Sequence, residues 1–214
     1  MGKLVGDKYG IHRVIEPQGV LTQAALKIDN DMTKKYSNEI ICDVISLNID
    51  SASFTQIEEA CGGDTEKIKE MILGIVNERG KMQNPVTGSG GMFIGKVAYI
   101  GEDLDLDIKV GDKIASLVSL SMTPLKIDEI IEIHPEIDRV DIKGQAVLFE
   151  SALYAKLPDA KEAGYKAGDF SYNTGKLRCP TCDGTGSISL DVQFLPDVEV
   201  PCPDCHGSRY NRDA

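Results

Sequence analysis

The sequence predicts an α+β chain, mainly β, in which one compact domain is followed by a small module held by cysteines. Short runs of β-branched residues recur between glycines through the first two thirds of the chain. One segment there has clear helical periodicity, and two Cys-x-x-Cys pairs stand close together near the C-terminus. With 214 residues, 42% of them hydrophobic, the chain can bury one good core and support an appendage.

The elements follow in order. Residues 38–48, "NEIICDVISLN", read as a strand because their β-branched side chains suit a pleated surface. Residues 64–79, "DTEKIKEMILGIVNER", place Ile68, Met71, Ile72, Ile75 and Val76 on one helical face, with Asp64 as N-cap and Gly80 as the glycine that ends the helix. "GGMFIGKVAYIG" at 90–101 reads as a strand entered and left through glycines, and "VGDKIASLVSL" at 110–120 as a turn followed by a strand. "TPLKIDEIIEIHPEI" is ambiguous by pattern, one reading being a short helix started by Pro124. "RVDIKGQAVLFES" at 139–151 returns to strand character. The domain is expected to span 1–158, followed by a polar, glycine-rich linker at 159–177 and a four-cysteine module at 178–214. Within that module Ile188, Leu190, Val192 and Phe194 alternate as in a strand.

Charge narrows the function classes. A formal net charge of −11 and a pI near 4.7 argue against a membrane-surface partner or a general nucleic-acid binder. In the tail from Asp159, nine Asp/Glu face six Lys/Arg, although Tyr165, Tyr172 and Tyr210 could stack on bases. "MGKLVGDKYG" has no apolar export segment, and no apolar run reaches membrane-spanning length, so a reducing cytoplasm is the expected compartment.

Six cysteines are present, and four of them form two tight pairs: Cys179 with Cys182, and Cys202 with Cys205. Tetrahedral zinc takes four thiolates, and each Cys-x-x-Cys turn supplies two adjacent ones. The 19 residues between Cys182 and Cys202 fall within the range of paired zinc knuckles. Structural zinc on these four residues is the expectation; a redox dithiol and stray thiols are the alternatives. His206 could replace one thiolate, but the four cysteines make that unnecessary. Such binding supplies on the order of 10 kcal/mol of folding energy, more than a tail with few large apolar groups gains from its own core.

Other candidates are weaker. Asn48 and Asp50, after the first long strand, could orient a substrate ammonium, against the plainer reading of a polar turn. Ser51 and Ser53 read as turn donors, and His12 and His134 as surface or strand-end residues. Glu58, Glu59, Lys67 and Lys69 read as a solvated helix face, and Cys42 as core. "GGMFIGKV" fits G-x-x-x-x-G-K, but Val97 stands where a phosphate loop needs Ser or Thr.

Two resemblances cover the chain. "FSYN", "RCPTCDGTGS", "FLPDVEVPC" and "CHGSRYNR" in 160–214 resemble the C-terminal zinc module of the damage-sensing component of excinuclease ABC, which acts in bacterial nucleotide-excision repair. That resemblance implies the same four zinc ligands. "YGIHRVIEPQGVLTQAALKIDN", "LNIDSASFTQI", "ERGKMQNPVTGSGGMFIGKV", "VGDKIASLVSLSMTPLKIDEI" and "LFESALYAKLP" in 9–158 resemble the N-terminal part of L-erythro-3,5-diaminohexanoate dehydrogenase. This implies an NAD-dependent oxidative deamination in lysine fermentation and, more distantly, a GroES-like barrel. Zinc-dependent medium-chain dehydrogenases carry a Cys after the strand that here ends in "LNIDS", so Asn48 and Asp50 at that place speak against a catalytic zinc. "GSGGMFIG" has Phe93 where a third dinucleotide-binding glycine belongs, and cysteine knuckles follow where a dinucleotide-binding half is expected. The expectation is a composite: a partial dehydrogenase joined near Pro158 to a zinc module. NAD would belong to the complete enzyme, and at most a diamino acid would be recognised weakly. The alternative is a repair-type zinc-binding interaction module fused to a barrel, without catalysis.

Overall fold

The computed structural model describes residues 3–151, 158–171, 174–190 and 198–211. The chain divides into two compact units, Met1–Ala152 and Leu153–Ala214.

The first unit is built on a five-stranded antiparallel sheet with the order β5-β4-β3-β7-β6. Its strands are β3 (Glu39–Ile49), β4 (Gly91–Ile100), β5 (Lys113–Ser116), β6 (Leu125–His134) and β7 (Arg139–Phe149). A small ribbon of β1 (Val14–Glu16) and β2 (Lys27–Ile28) precedes them, and helices α1 (Ser51–Cys61) and α2 (Thr65–Arg79) lie between β3 and β4. Central strand β3 is buried at nearly every second position or more often: Ile40, Cys42, Leu47 and Ile49 are each 0% exposed. Helix α2 packs against α1 and β6, placing Ile68, Ile72, Ile75 and Val76 in the core as the sequence pattern required, with Met71 half-buried. The Asp64 carboxylate caps α2 by accepting from the N–H groups of Glu66 and Lys67.

Three elements differ from the sequence reading. The "TPLKIDEIIEIHPEI" stretch is strand β6, not a helix. Register shifts between Ile127 and Glu129 and between Ile130 and Glu132 carry the inward face through Ile127, Ile130 and Ile133, so a bulged strand imitates helical spacing. Helix α1 is anticipated only in the reading of Glu58 and Glu59 as part of a solvated helix face; its start and its extent are not. Ser51 and Ser53 lie in its first turn rather than in a loop, and Phe54, Ile57 and Cys61 face the core. Among the described residues no sheet closes on itself, since β5 and β6 remain edges of the five-stranded sheet. The mainly-β class stands, and "GGMFIGKV" lies along β4 with Gly95 paired to Val44 rather than in a phosphate-binding turn.

His12 is not an ordinary surface residue. Its Nδ1 accepts from the Asp7 N–H at 2.8 Å, so its Nε2 carries the proton that it shares with Glu39 Oε1, also at 2.8 Å. Glu39 in turn receives Arg13 Nε and Nη2 at 2.7 Å each, and both partners are sealed from solvent.

In the second unit, the stretch read as a linker carries helix α3 (Pro158–Glu162) and a 3-10 turn at Ala167–Phe170, and Leu177 is buried. Strands β8 (Ser187–Leu190) and β9 (Val198–Pro201) pair antiparallel. The expected strand holds for Ile188 and Leu190, both within β8, whereas Val192 and Phe194 lie outside the described residues, as does Tyr172.

Candidate metal centre and the sheet end

The four knuckle cysteines converge. Cys179, Cys182, Cys202 and Cys205 are all buried, none is in a disulfide, and their sulfurs lie within 4.8 Å of one another. The Sγ atoms of Cys179 and Cys202 are 3.8 Å apart and those of Cys182 and Cys205 3.6 Å. Four sulfurs about 2.3 Å from one tetrahedral ion would stand about 3.8 Å apart along each edge, so these residues fit zinc. His206 is exposed and does not join the set.

The backbone explains the convergence. The two knuckles are related by an approximate local two-fold. Asp183 and Gly184 have φ of 51° and 82°; His206 and Gly207, in the same places of the second knuckle, have 49° and 89°. Cys179 N–H donates to Arg209 C=O at 2.8 Å, and Cys202 N–H donates to Gly186 C=O at 2.9 Å, so each knuckle opens on the end of the other. The left-handed turns curl amide groups towards sulfur, and Gly186 N–H donates to Cys182 Sγ at 3.2 Å. Burial would raise the Cys182 thiol, but this N–H and the neighbouring sulfurs outweigh it and draw it to about 7. Burial foremost pushes Cys205, facing it, up to about 12. The pair thus gives up one proton readily and the second with difficulty, a cost that a bound cation removes. Ile188 packs on the sulfurs from β8. Tyr210 donates its hydroxyl to the Phe170 carbonyl at 2.8 Å and meets the Phe170 ring edge-on, so its ring is committed within the module.

Asn48 and Asp50 come to one end of the large sheet but do not face a common point in hydrogen bonding. Asn48 is exposed and sits across from Arg139 on β7 and Met92 on β4. Asp50 precedes α1 without capping it through its side chain; its carboxylate instead accepts from Ser89 Oγ at 2.6 Å. Ser53 shares hydrogen bonds with Thr87 at 2.6 Å and Ser89 at 3.1 Å, and Ser51 donates to Asp138. The result is a chain of hydroxyls and carboxylates around the start of α1, able to hold polar ligand atoms. The sequence showed Asn48 and Asp50, but not Ser89, Thr87 or Arg139, which only the strand pairing brings near.

Cys42 is core, as its β-branched surroundings imply: burial, with Asp43 adding, pushes its thiol up to about 12, and it is inert at neutral pH. No helix among the described residues is long and apolar enough to cross a membrane.

Comparison with known proteins finds dehydrogenase relatives for the larger part of the chain and UvrABC system protein A for the C-terminal part, although the match to that protein of Borreliella burgdorferi, 35% identical over 161 residues, covers 71% of this chain. Residues 12–158 match the family model of the L-erythro-3,5-diaminohexanoate dehydrogenase N-terminal domain. The L-erythro-3,5-diaminohexanoate dehydrogenase of Acetoanaerobium sticklandii is 70% identical over 155 residues, covering 72% of this chain and 45% of that protein. The enzyme of the same name from Fusobacterium nucleatum is 71% identical over 155 residues, with the same two shares. The C-terminal part matches UvrABC system protein A; that of Xylella fastidiosa is 51% identical over 61 residues, covering 28% of this chain and 6% of that protein. The chain therefore spans less than half the length of the dehydrogenases it matches.

Proposed function

The chain belongs, through residues 12–158, to the L-erythro-3,5-diaminohexanoate dehydrogenase N-terminal domain family, and from this premise we propose that it is a partial dehydrogenase joined to a structural zinc module. The observation that carries the reading is the change of kinship along one chain: 70% identity to a dehydrogenase in the larger part, and a buried four-sulfur centre in a part similar to UvrABC system protein A. The first unit would serve the substrate side of an NAD-dependent oxidative deamination of the kind used in lysine fermentation. Its distant GroES-like kinship belongs to the same proposal. In the second unit Cys179, Cys182, Cys202 and Cys205 would hold zinc, which supplies cross-linking rather than chemistry.

By itself this chain is expected to be inactive. Hydride transfer needs a nicotinamide held against the substrate carbon, and parallel strand–helix–strand units with a phosphate-cradling turn do that work. The described sheets are antiparallel throughout, and "GSGGMFIG" runs into β4 rather than into a helix. What remains is weak recognition of a diamino acid by carboxylates such as Asp50, in a reducing cytoplasm where the thiols stay free. A second reading, a repair-type zinc-binding interaction module, rests on the C-terminal match; the acidic balance of the tail opposes strong phosphate binding.

Elemental analysis and calorimetry test both. One zinc per chain, no NAD binding and no turnover of L-erythro-3,5-diaminohexanoate are expected. Less than half an equivalent of zinc with thiols intact removes the zinc assignment, and turnover above background removes the inactive-fragment reading. Micromolar affinity for damaged duplex at physiological salt would favour the repair module.

A further inference from the structure

A second set of ligand-type side chains lies on the β6–β7 hairpin, far in sequence from the cysteines. In the antiparallel register Glu132 stands opposite Asp141, and His134 opposite Arg139. Cross-strand partners share a face, so these four side chains project together from two rigidly paired strands. His134 Nε2 is 3.1 Å from Asp141 Oδ2 and 3.6 Å from Glu132 Oε2, and the three ligand atoms lie within 4.8 Å of one another. Adjacent ligands of an ion with metal–ligand bonds of about 2.1 Å are separated by about 3.0–3.4 Å, so two of these spacings approximate edges of one coordination shell.

Two further observations identify what the trio lacks. Arg139 Nη2 lies 3.0 Å from His134 Nε2 and 3.2 Å from Asp141 Oδ2. Nε2 thus lies between a donor, Arg139, and an acceptor, Asp141, and a cation at this point would take its lone pair together with the two carboxylates. On the other side of the ring Glu136 Oε1 stands 3.9 Å from His134 Nδ1, placed to serve as the outer carboxylate of a metal-bound histidine once an ion takes Nε2. Arg139 is a loose occupant. Its Nε is 3.1 Å from Asp141 Oδ1 yet makes no directed hydrogen bond, and its side chain is 40% exposed.

We propose that Glu132, His134 and Asp141 form a binding site for a divalent transition cation of the zinc and nickel class, with Arg139 as the resident competitor that the ion displaces. Two carboxylates and a neutral imidazole balance a divalent ion, and imidazole selects this class over magnesium or calcium. Arg139 leaves outward, to solvent. The site is independent of the cysteine centre and of the dehydrogenase assignment, because every group it uses is on one hairpin.

The test uses the untagged full chain, loaded first with one equivalent of zinc and then titrated with nickel by calorimetry, zinc content being followed throughout. One further equivalent of nickel should bind without zinc release. His134→Ala should weaken it at least about a hundredfold, and Glu136→Gln about tenfold, as the loss of an outer partner does. Arg139→Gln should tighten it about tenfold, because a competing cation is gone. Tighter binding on loss of an arginine is not expected of adventitious surface uptake. No uptake, uptake matched by zinc release, uptake that survives His134→Ala, or weaker binding in Arg139→Gln would each overturn the proposal.

Discussion

Arg13 is the largest side chain sealed in the first unit, and its neighbours account for every donor group. Nε and Nη2 hold Glu39, Nη1 reaches the carbonyls of Asp29 and Asp31, and Nη2 also reaches that of Lys34. Burial alone would raise the Glu39 carboxyl, but hydrogen bonds from Arg13 and His12 outweigh it and hold it below its ordinary value. The unfolded chain therefore takes up this proton first: the stabilisation is full above the ordinary carboxylate value and is lost as pH falls through the folded one. Removing one partner leaves a buried charge, so Arg13→Met should cost about 3–5 kcal/mol, measured by urea denaturation. Arg13→Met with Glu39→Leu should recover much of that loss, and equal losses in single and double variants would show that the pairing is not the cause. Lys81 is a different case: also fully buried, its acceptors among the described residues are the carbonyls of Thr22 and Gln23, at 2.6 and 3.2 Å. Burial, with Arg79 adding, pulls its ammonium down to about 7. Here the unfolded chain binds the proton more tightly, so the full penalty is present below the folded value and is relieved as pH rises towards the unfolded one. Between pH 7 and 9 the native chain should gain about 1–2 kcal/mol relative to Lys81→Met. A difference between the two that stays flat over that range would refute it.

At the scale of elements, the sequence was legible where periodicity and caps agreed. Helix α2 shows both, β3 and β7 announce themselves by β-branched runs, and β4 by such a run bounded by glycines. The start and extent of helix α1 were hidden because its serine-rich start imitates a turn, although Phe54, Ile57 and Cys61 and the closing Gly62 carried the signal. Strand β6 was hidden by its two bulges, and the Arg13–Glu39 pair, 26 residues apart, has no sequence signature at all. The two helix-ending glycines separate conformational need from space. Both are left-handed, with φ of 64° at Gly62 and 73° at Gly80, but an added Cβ at Gly62 meets nothing within 4 Å. At Gly80 it would stand 2.0 Å from the Ile28 carbonyl oxygen, which is backbone and cannot turn aside. Gly62→Ala should cost about 1 kcal/mol, the left-handed penalty alone. Gly80→Ala should cost at least about 3 kcal/mol, since the β1–β2 ribbon must shift as well. Equal thermal-denaturation losses for the two would mean that the ribbon yields freely.

At the scale of the whole molecule, the two units should differ in what holds them. Met1–Ala152 buries many strand and helix side chains, including Leu47, Phe54, Ile72, Phe93 and Val140, each 0–1% exposed. In Leu153–Ala214 buried hydrophobic residues are few: beyond the four cysteines, only Ala160 and Leu177 are buried among the described residues. The cysteine spacing made the centre readable from sequence. Its pseudo-two-fold required the structure, because only the paired backbone angles and reciprocal hydrogen bonds reveal it. A module whose knuckles each terminate the other cannot lose one half and keep the second, so it should open as a unit when its sulfurs are no longer bridged. Chelator treatment followed by limited proteolysis should therefore remove the second unit and leave a stable fragment ending between about residue 152 and Pro158. Thermal melting of that fragment should be unchanged by chelator, while the second unit's transition disappears. Loss of both units together would mean that the larger one draws on the metal centre for its stability, and that the joint unites what the kinships divide.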